Sequence, residues 1–463
     1  MACAGFSGMF FDIGGERRMK TDIYVTDVKN GRFLEKSTAE TETVERFGGW
    51  GLICVFPEDA HQRVEGFGGA FTEAAASIYM SLSEEKRAEL LEAYFDKEKG
   101  SGYSFCRTHI ASCDFTPSEY THIAEGDGKL ETFSIERDTA AVIPMIKAAQ
   151  KYGRLKLFAS PWSPPAFMKD NASRLSGGRL KREYYSVWTE YVAKFIEAYR
   201  GEGIEIDAVT VQNEAEAAMT WESCLYTPQE ECALIKSGFG ERMRKLGVKI
   251  YVWDHNKERA FDRARTVFED SEASQYVAGV ACHWYTGDHF EQLEMIKRKY
   301  PDKEIIFSEG CCAAKHEGLM TEEGLSFAER YAHEIIGDFK SGCSAFCDWN
   351  LVLDMKNGPF NHRYSDLKCD APIMADIEND KLYREASYYY IGHFSRFVKQ
   401  GAVRISASSY TDSVEAIAFL NPDGEIALIL LNRTDAEQRA NVLCKGKKTE
   451  YVCPPRSITT MLL

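Results

Sequence analysis

The stretch Ala208-Val209-Thr210-Val211-Gln212-Asn213-Glu214 changes its chemistry abruptly. Its first four residues are apolar or β-branched, the composition of a short buried strand. Two amides and a carboxylate follow at once. A parallel strand that ends this way delivers its polar side chains to the rim of the sheet, where α/β enzymes keep their sites. Glu304-Ile305-Ile306-Phe307-Ser308-Glu309-Gly310 repeats the arrangement. Two carboxylates presented by two strand ends are the apparatus of glycoside hydrolysis, so Glu214 and Glu309 are the candidate catalytic pair.

Working outward, strand-like runs alternate with amphipathic stretches. The strand candidates are 64–71, 103–111, 156–160, 208–212, 249–253, 277–283, 304–308 and 345–349. Helical stretches at 83–95, 183–199, 227–245 and 327–340 separate some of them, and Ser83 before Glu84 and Glu85 reads as an N-cap with an acidic first turn. Alternation of this kind predicts an α/β chain built as a (β/α)8 TIM barrel. The alternative is an open doubly wound sheet. Against it, Gly66-Phe67-Gly68-Gly69 lacks the spacing and acidic partner of a dinucleotide fingerprint.

Both chain ends read differently. Asp22–Thr26 and Arg32–Leu34 flank Asn30-Gly31, a hairpin signal, and Ala416–Leu420 and Ile426–Leu431 flank Asn421-Pro422-Asp423-Gly424. Neither block alone fills a sandwich. The expectation is one β-sandwich side domain assembled from 21–60 and 398–463, a catalytic barrel over 61–397, and a poorly defined extension over 1–20. Met19-Lys20 opens the cleaner pattern and is an alternative start.

The chain has 463 residues and a net charge of −15. An acidic surface argues against nucleic acid, which needs a basic face, and against anionic membranes. No apolar run is long enough to span a bilayer. Of the 14 cysteines, Cys54, Cys282 and Cys347 sit in apolar strand-like runs, where a free thiol acts as a small hydrophobe. With no secretory signal read in Met1–Lys20, the expected compartment is cytoplasmic. Nothing in the sequence sets an oligomeric state.

The residues after each strand describe a carbohydrate pocket: Arg107, His109 and Asp114; Trp162; Asn213 and Glu214; Asp254 and His255; His283 and Tyr285; Glu309; Asp348, Trp349 and Asn350. Tryptophan faces stack on sugar rings, and carboxylates and amides take hydroxyls. Glu65–Thr72, Ala159–Pro165, Gln212–Glu214, His283–Tyr285, Phe307–Glu309 and Asp348–Leu351 together resemble the successive motifs of glycoside hydrolase family 30, which includes lysosomal glucosylceramidase. The resemblance runs from about Val64 to Phe397 in strand order. It implies a retaining β-glycosidase with Glu214 as acid/base and Glu309 as nucleophile, their carboxyl groups about 5 to 5.5 Å apart. A β-glucoside or glucosylceramide-type substrate is the leading expectation. A β-xylosidase, β-fucosidase or β-1,6-glucanase is the alternative within the family. Asp114, Trp162, Asn213, His283, Tyr285 and Trp349 are expected to bind substrate, with Arg107 supporting a carboxylate.

Three features depart from the family pattern. Glu73 replaces the usual Asp, Gly310-Cys311-Cys312 follows the nucleophile, and the loop Asn357–Tyr364 is long. Glu216 and Glu222 compete as acids but follow no strand and read as loop charges. Cys311, Cys312 and His316 match no zinc spacing, so neither metal nor cofactor is expected. Two rivals of other classes remain. One is a non-catalytic carbohydrate-binding barrel. The other is a metal-dependent hydrolase using His109, His283, Asp254 and Asp348.

Overall fold

The computed structural model describes residues 19–44, 49–312, 320–356 and 369–463. Eight parallel strands close into a barrel in the order Gly66–Phe71, Phe105–Ile110, Lys156–Pro161, Ala208–Thr210, Lys249–Asn256, Val277–His283, Glu304–Glu309 and Ala345–Asn350. Each expected strand is present, within three residues at either end. The fourth is the shortest, and its last rung to the fifth strand is Val211 N–H donating to the Tyr251 carbonyl at 3.0 Å.

The floor of the barrel is an apolar layer of Phe105, Phe158, Tyr251, Ile306 and small residues between them. Small residues are needed where strands crowd: a Cβ on Gly68 would stand 1.8 Å from the Phe105 carbonyl oxygen. One step further along the strands the inward side chains become polar: Arg107, Ser160, Thr210, Asp254, His283 and Ser308. That switch, from oil to hydrogen bonds within one residue pair, is what raises the site above a dry core.

Helices cover the outside. Ser83 caps Glu84–Phe95, its hydroxyl accepting from Lys86 N–H at 3.2 Å. The single helix expected over 227–245 is three pieces, Pro228–Leu234, a π-turn over Ile235–Phe239, and Gly240–Leu246. Gly238 causes the break, with φ at +120°.

The β-sandwich is nine strands whose ladder closes on itself, three from before the barrel and six from after it. Its first strand begins at Met19, inside the stretch left without an element, and its third runs to Arg63, past the expected boundary at 60. Asn30-Gly31 turns the first hairpin, Gly31 at φ +69°. The helix Ala386–Ser395 joins the two domains: buried His393 lies 2.9 Å from the Thr26 hydroxyl and 2.8 Å from that of Thr460. Among the described residues no helix is long and apolar enough to cross a membrane.

Candidate active site

Asp254 organises the rim. Its carboxylate lies within hydrogen-bond distance of side chains from five other strands: Arg107 at 2.7 Å, Ser160 at 2.9 Å, Thr210 at 2.7 Å, His283 at 3.0 Å and Ser308 at 2.6 Å. The backbone is bent to put it there. Trp253 and Asp254 have φ of +75° and +46°, and the ladder to the sixth strand slips between Trp253 and His255. A bulge of this kind re-aims side chains beside functional sites. Against burial, Arg107 and His283 hold the Asp254 carboxyl far below the usual carboxylate range.

Arg107 spends the rest of its fork on the site. It donates to Glu309 Oε2 at 2.5 Å and to Asn213 Oδ1 at 2.8 Å, from a wholly buried position. Arg107 thereby claims Asn213 Oδ1 and sets the orientation of the amide. Tyr285 donates its hydroxyl to Glu309 Oε1 at 2.8 Å. Both oxygens of Glu309 are thereby fixed.

Glu214 is placed by strain. Its φ is +50°, and its N–H donates to the Asp254 carbonyl at 2.8 Å. Glu214 Oε1 lies 3.5 Å from His283 Nδ1, and Glu309 Oε1 lies 3.8 Å from the same nitrogen. The two carboxylates therefore converge on one ring nitrogen. Both line a cavity of about 350 Å³ whose wall includes Asp114, Tyr285, His255 and Trp349, a volume ordinary for a small-ligand site.

The charges are coupled. Burial disfavours a charged His283, but Glu309, Asp254 and Glu214 outweigh it and push the imidazole up to about 9. Burial raises Glu309, with His283 and Arg107 opposing. Burial would also raise Glu214, yet contact with His283 and its charge bring the carboxyl below its ordinary value. His283 and Glu214 thus shift one another in opposite directions, the imidazole up and the carboxyl down. Burial lifts Asp114 well above the carboxylate range, and Glu309 and Glu214 add to the effect. One Asp114 oxygen is buried with no hydrogen-bond partner.

Other expected residues fall elsewhere. Trp162 is not on the cavity wall; it stacks behind Trp349, ring centroids 5.4 Å apart, and the Arg107 guanidinium covers it at 4.9 Å. Glu216 pairs with Arg259 at 2.7 Å, while Glu222 is no loop charge but a buried acceptor for Ser112 at 2.7 Å. Glu73 takes both arms of Arg137, at 2.9 and 3.0 Å. His109 turns to the Ala111 carbonyl and Asp348 accepts from Tyr331 at 2.7 Å, so these two do not join Asp254 and His283 as one ligand set. Gly310 is required as glycine: a Cβ there would meet the Phe307 ring at 2.6 Å and the Trp284 ring at 2.8 Å. The loop Asn357–Tyr364 and His316 lie outside the described residues. Sequence reasoning placed Asp254 and His255 at a strand end but not among the substrate-binding residues, and it gave no sign of Asp254 as the hub. The adjacency of Asp254-His255 to a strand end was the available signal, but no pattern marks a bulge.

A closed parallel barrel that gathers two glutamates, an arginine and a tryptophan at its C-terminal rim defines a glycoside hydrolase architecture. Comparison with known proteins agrees. The glycosyl hydrolase family 30 TIM-barrel domain matches residues 64–398, and the family 30 beta sandwich domain matches 401–461. Lysosomal acid glucosylceramidase of Mus musculus is 33% identical over 429 residues, which cover 88% of this chain and 82% of the relative. Endo-1,6-beta-D-glucanase of Neurospora crassa is 27% identical over 410 residues, 84% of this chain and 83% of the relative. The solved structure of SrfJ from Salmonella typhimurium is 39% identical with a TM-score of 0.92, covering 96% of this chain and 99% of that one. The chain belongs to glycoside hydrolase family 30 and is an enzyme acting on carbohydrate.

Proposed function

We propose that the protein is a retaining β-glycosidase acting on β-glucosides by double displacement. Glu309 attacks the anomeric carbon while Glu214 protonates the leaving oxygen, and Glu214 then deprotonates the water that releases the sugar. The observation that carries this reading is that both carboxylates line one cavity and approach one nitrogen of His283. Glu309 suits the nucleophile because Arg107 and Tyr285 orient both its oxygens and favour its ionised form. Glu214 suits the acid/base because among the described residues its charged partners are histidines rather than an arginine, and His283 can supply it with a proton.

A glucose ring is favoured by the relatives, whose names are glucosylceramidase and endo-1,6-β-D-glucanase. Asn213 NH2 would meet the sugar 2-hydroxyl, and Asp114 and Trp349 the far side of the ring. The buried thiols Cys106, Cys282 and Cys347, used as barrel filler, suit a reducing compartment, and a cytoplasmic location is part of this proposal.

A panel of nitrophenyl β-glucoside, xyloside, fucoside and galactoside, followed by proton NMR of the first-formed anomer, tests it. The glucoside should turn over best and release β-glucose. Release of the α-anomer would mean inversion and overturn the mechanism, while a preference for another sugar would overturn the substrate.

A further inference from the structure

Three potential metal ligands converge beside the cavity: Glu214 and His255 line it, His283 is wholly buried next to them, and each offers an atom, all within 4.8 Å of one another. Glu214 Oε1 is 3.7 Å from His255 Nδ1 and 3.5 Å from His283 Nδ1. Zinc bonds of about 2.0 to 2.1 Å in tetrahedral geometry put ligand atoms roughly 3.3 Å apart. The set is therefore open by only a few tenths of an ångström on two of its edges.

The two imidazoles are prepared for such a role. Nδ1 of His255 and Nδ1 of His283 are both buried, and neither makes a hydrogen bond. His283 is wholly buried, and its Nε2 is engaged by Asp254 at 3.0 Å. A carboxylate on the far ring nitrogen is the arrangement that fixes the tautomer and orientation of metal-bound histidines. Negative charge surrounds the point of convergence, with Glu309 Oε1 3.8 Å from His283 Nδ1. Two nitrogens and one carboxylate suit zinc and not magnesium or calcium, which want oxygen.

We propose that Glu214, His255 and His283 bind one zinc ion, and that zinc inhibits the enzyme reversibly by occupying the Glu214 carboxylate. The binding rests on geometry alone. The inhibition rests on the reading of Glu214 as the acid/base. A zinc ion there also takes the space of the leaving oxygen, so inhibition is competitive with substrate.

The test measures zinc affinity on the full chain with a chromophoric chelator, beside steady-state kinetics in zinc-buffered solution. One zinc per chain is expected, with KM rising and kcat constant as zinc increases, and magnesium inert. His255→Asn should weaken zinc at least about tenfold, and His255→Gln should do the same. Thermal melts show whether each variant is folded. Cys311→Ser should leave the affinity unchanged. Unaltered affinity in both His255 variants, or a loss in Cys311→Ser instead, would overturn the site. Zinc that stimulates turnover would overturn the inhibition. Zinc that binds through His255 without affecting turnover would overturn the inhibition, and the azide products of Glu214→Ala would then tell whether Glu214 is not the acid/base or is not a zinc ligand.

Discussion

Arg107 and Glu309 form an ion pair of 2.5 Å in which the guanidinium is wholly buried. The pair reaches from the second barrel strand to the seventh, and the same guanidinium continues to Asn213, just past the fourth, and to Asp254 on the fifth. One side chain thus sets the positions of three others. Lysine would keep the charge but not the fork, and charge alone does not orient three acceptors. Arg107→Lys should lower kcat about 10² to 10³-fold with a circular dichroism spectrum like the parent's. Near-parental kcat would show that the fork is scaffold only.

Asp254 has no expected contact with sugar, yet its removal should be costly. In Asp254→Asn the volume is kept while Arg107 and His283 lose their shared counter-charge. Breaking a buried pair from one side costs about 3 to 5 kcal/mol, to be read as a lower urea midpoint. A loss below about 1 kcal/mol, the value of an exposed pair, would contradict its place as the hub.

Asn213 precedes Glu214, and Arg107 fixes its amide by donating to Oδ1 at 2.8 Å. Contacts to the 2-hydroxyl strengthen as the sugar acquires oxocarbenium character. Asn213→Ala should therefore reduce kcat more than it raises KM. An unchanged kcat would remove the residue from the reaction.

The pH profile of kcat/KM should be a bell whose basic limb belongs to the proton shared by His283 and Glu214. His283 is raised to about 9, so the proton is present below that pH and lost as pH rises through it. The activity falls in the same window. In His283→Asn the proton has only Glu214 to occupy, so the limb should move to lower pH. A limb that stays in place would mean that His283 takes no part in supplying the acid proton. Burial alone would raise Glu214, but contact with His283 and its charge bring the carboxyl below its ordinary value.

The barrel was legible because its strands are apolar runs with abrupt polar ends, as at Val211-Gln212 and Phe307-Ser308. Glu214 and Glu309 could be found for the same reason. Trp162 misled because a tryptophan at a strand end looks the same whether it faces sugar or another tryptophan. The centrality of Asp254 was hidden because it depends on positive φ at two consecutive non-glycine residues, which no local preference announces. The break at Gly238 could have been anticipated, since glycine inside a helical run marks a weak point.

The division of labour between the two glutamates is the central claim, and azide rescue tests it most directly. Glu309→Gly should lose hydrolysis and open a hole beside the anomeric carbon. Azide entering from that side should convert an activated β-glucoside to the α-glucosyl azide by a single inversion. Glu214→Ala, given a leaving group that needs no proton, should still form the glycosyl-enzyme and yield the β-glucosyl azide by two inversions. These two products, one from each variant and identified by NMR, are what the account predicts. The β-azide from Glu309→Gly and the α-azide from Glu214→Ala would contradict it.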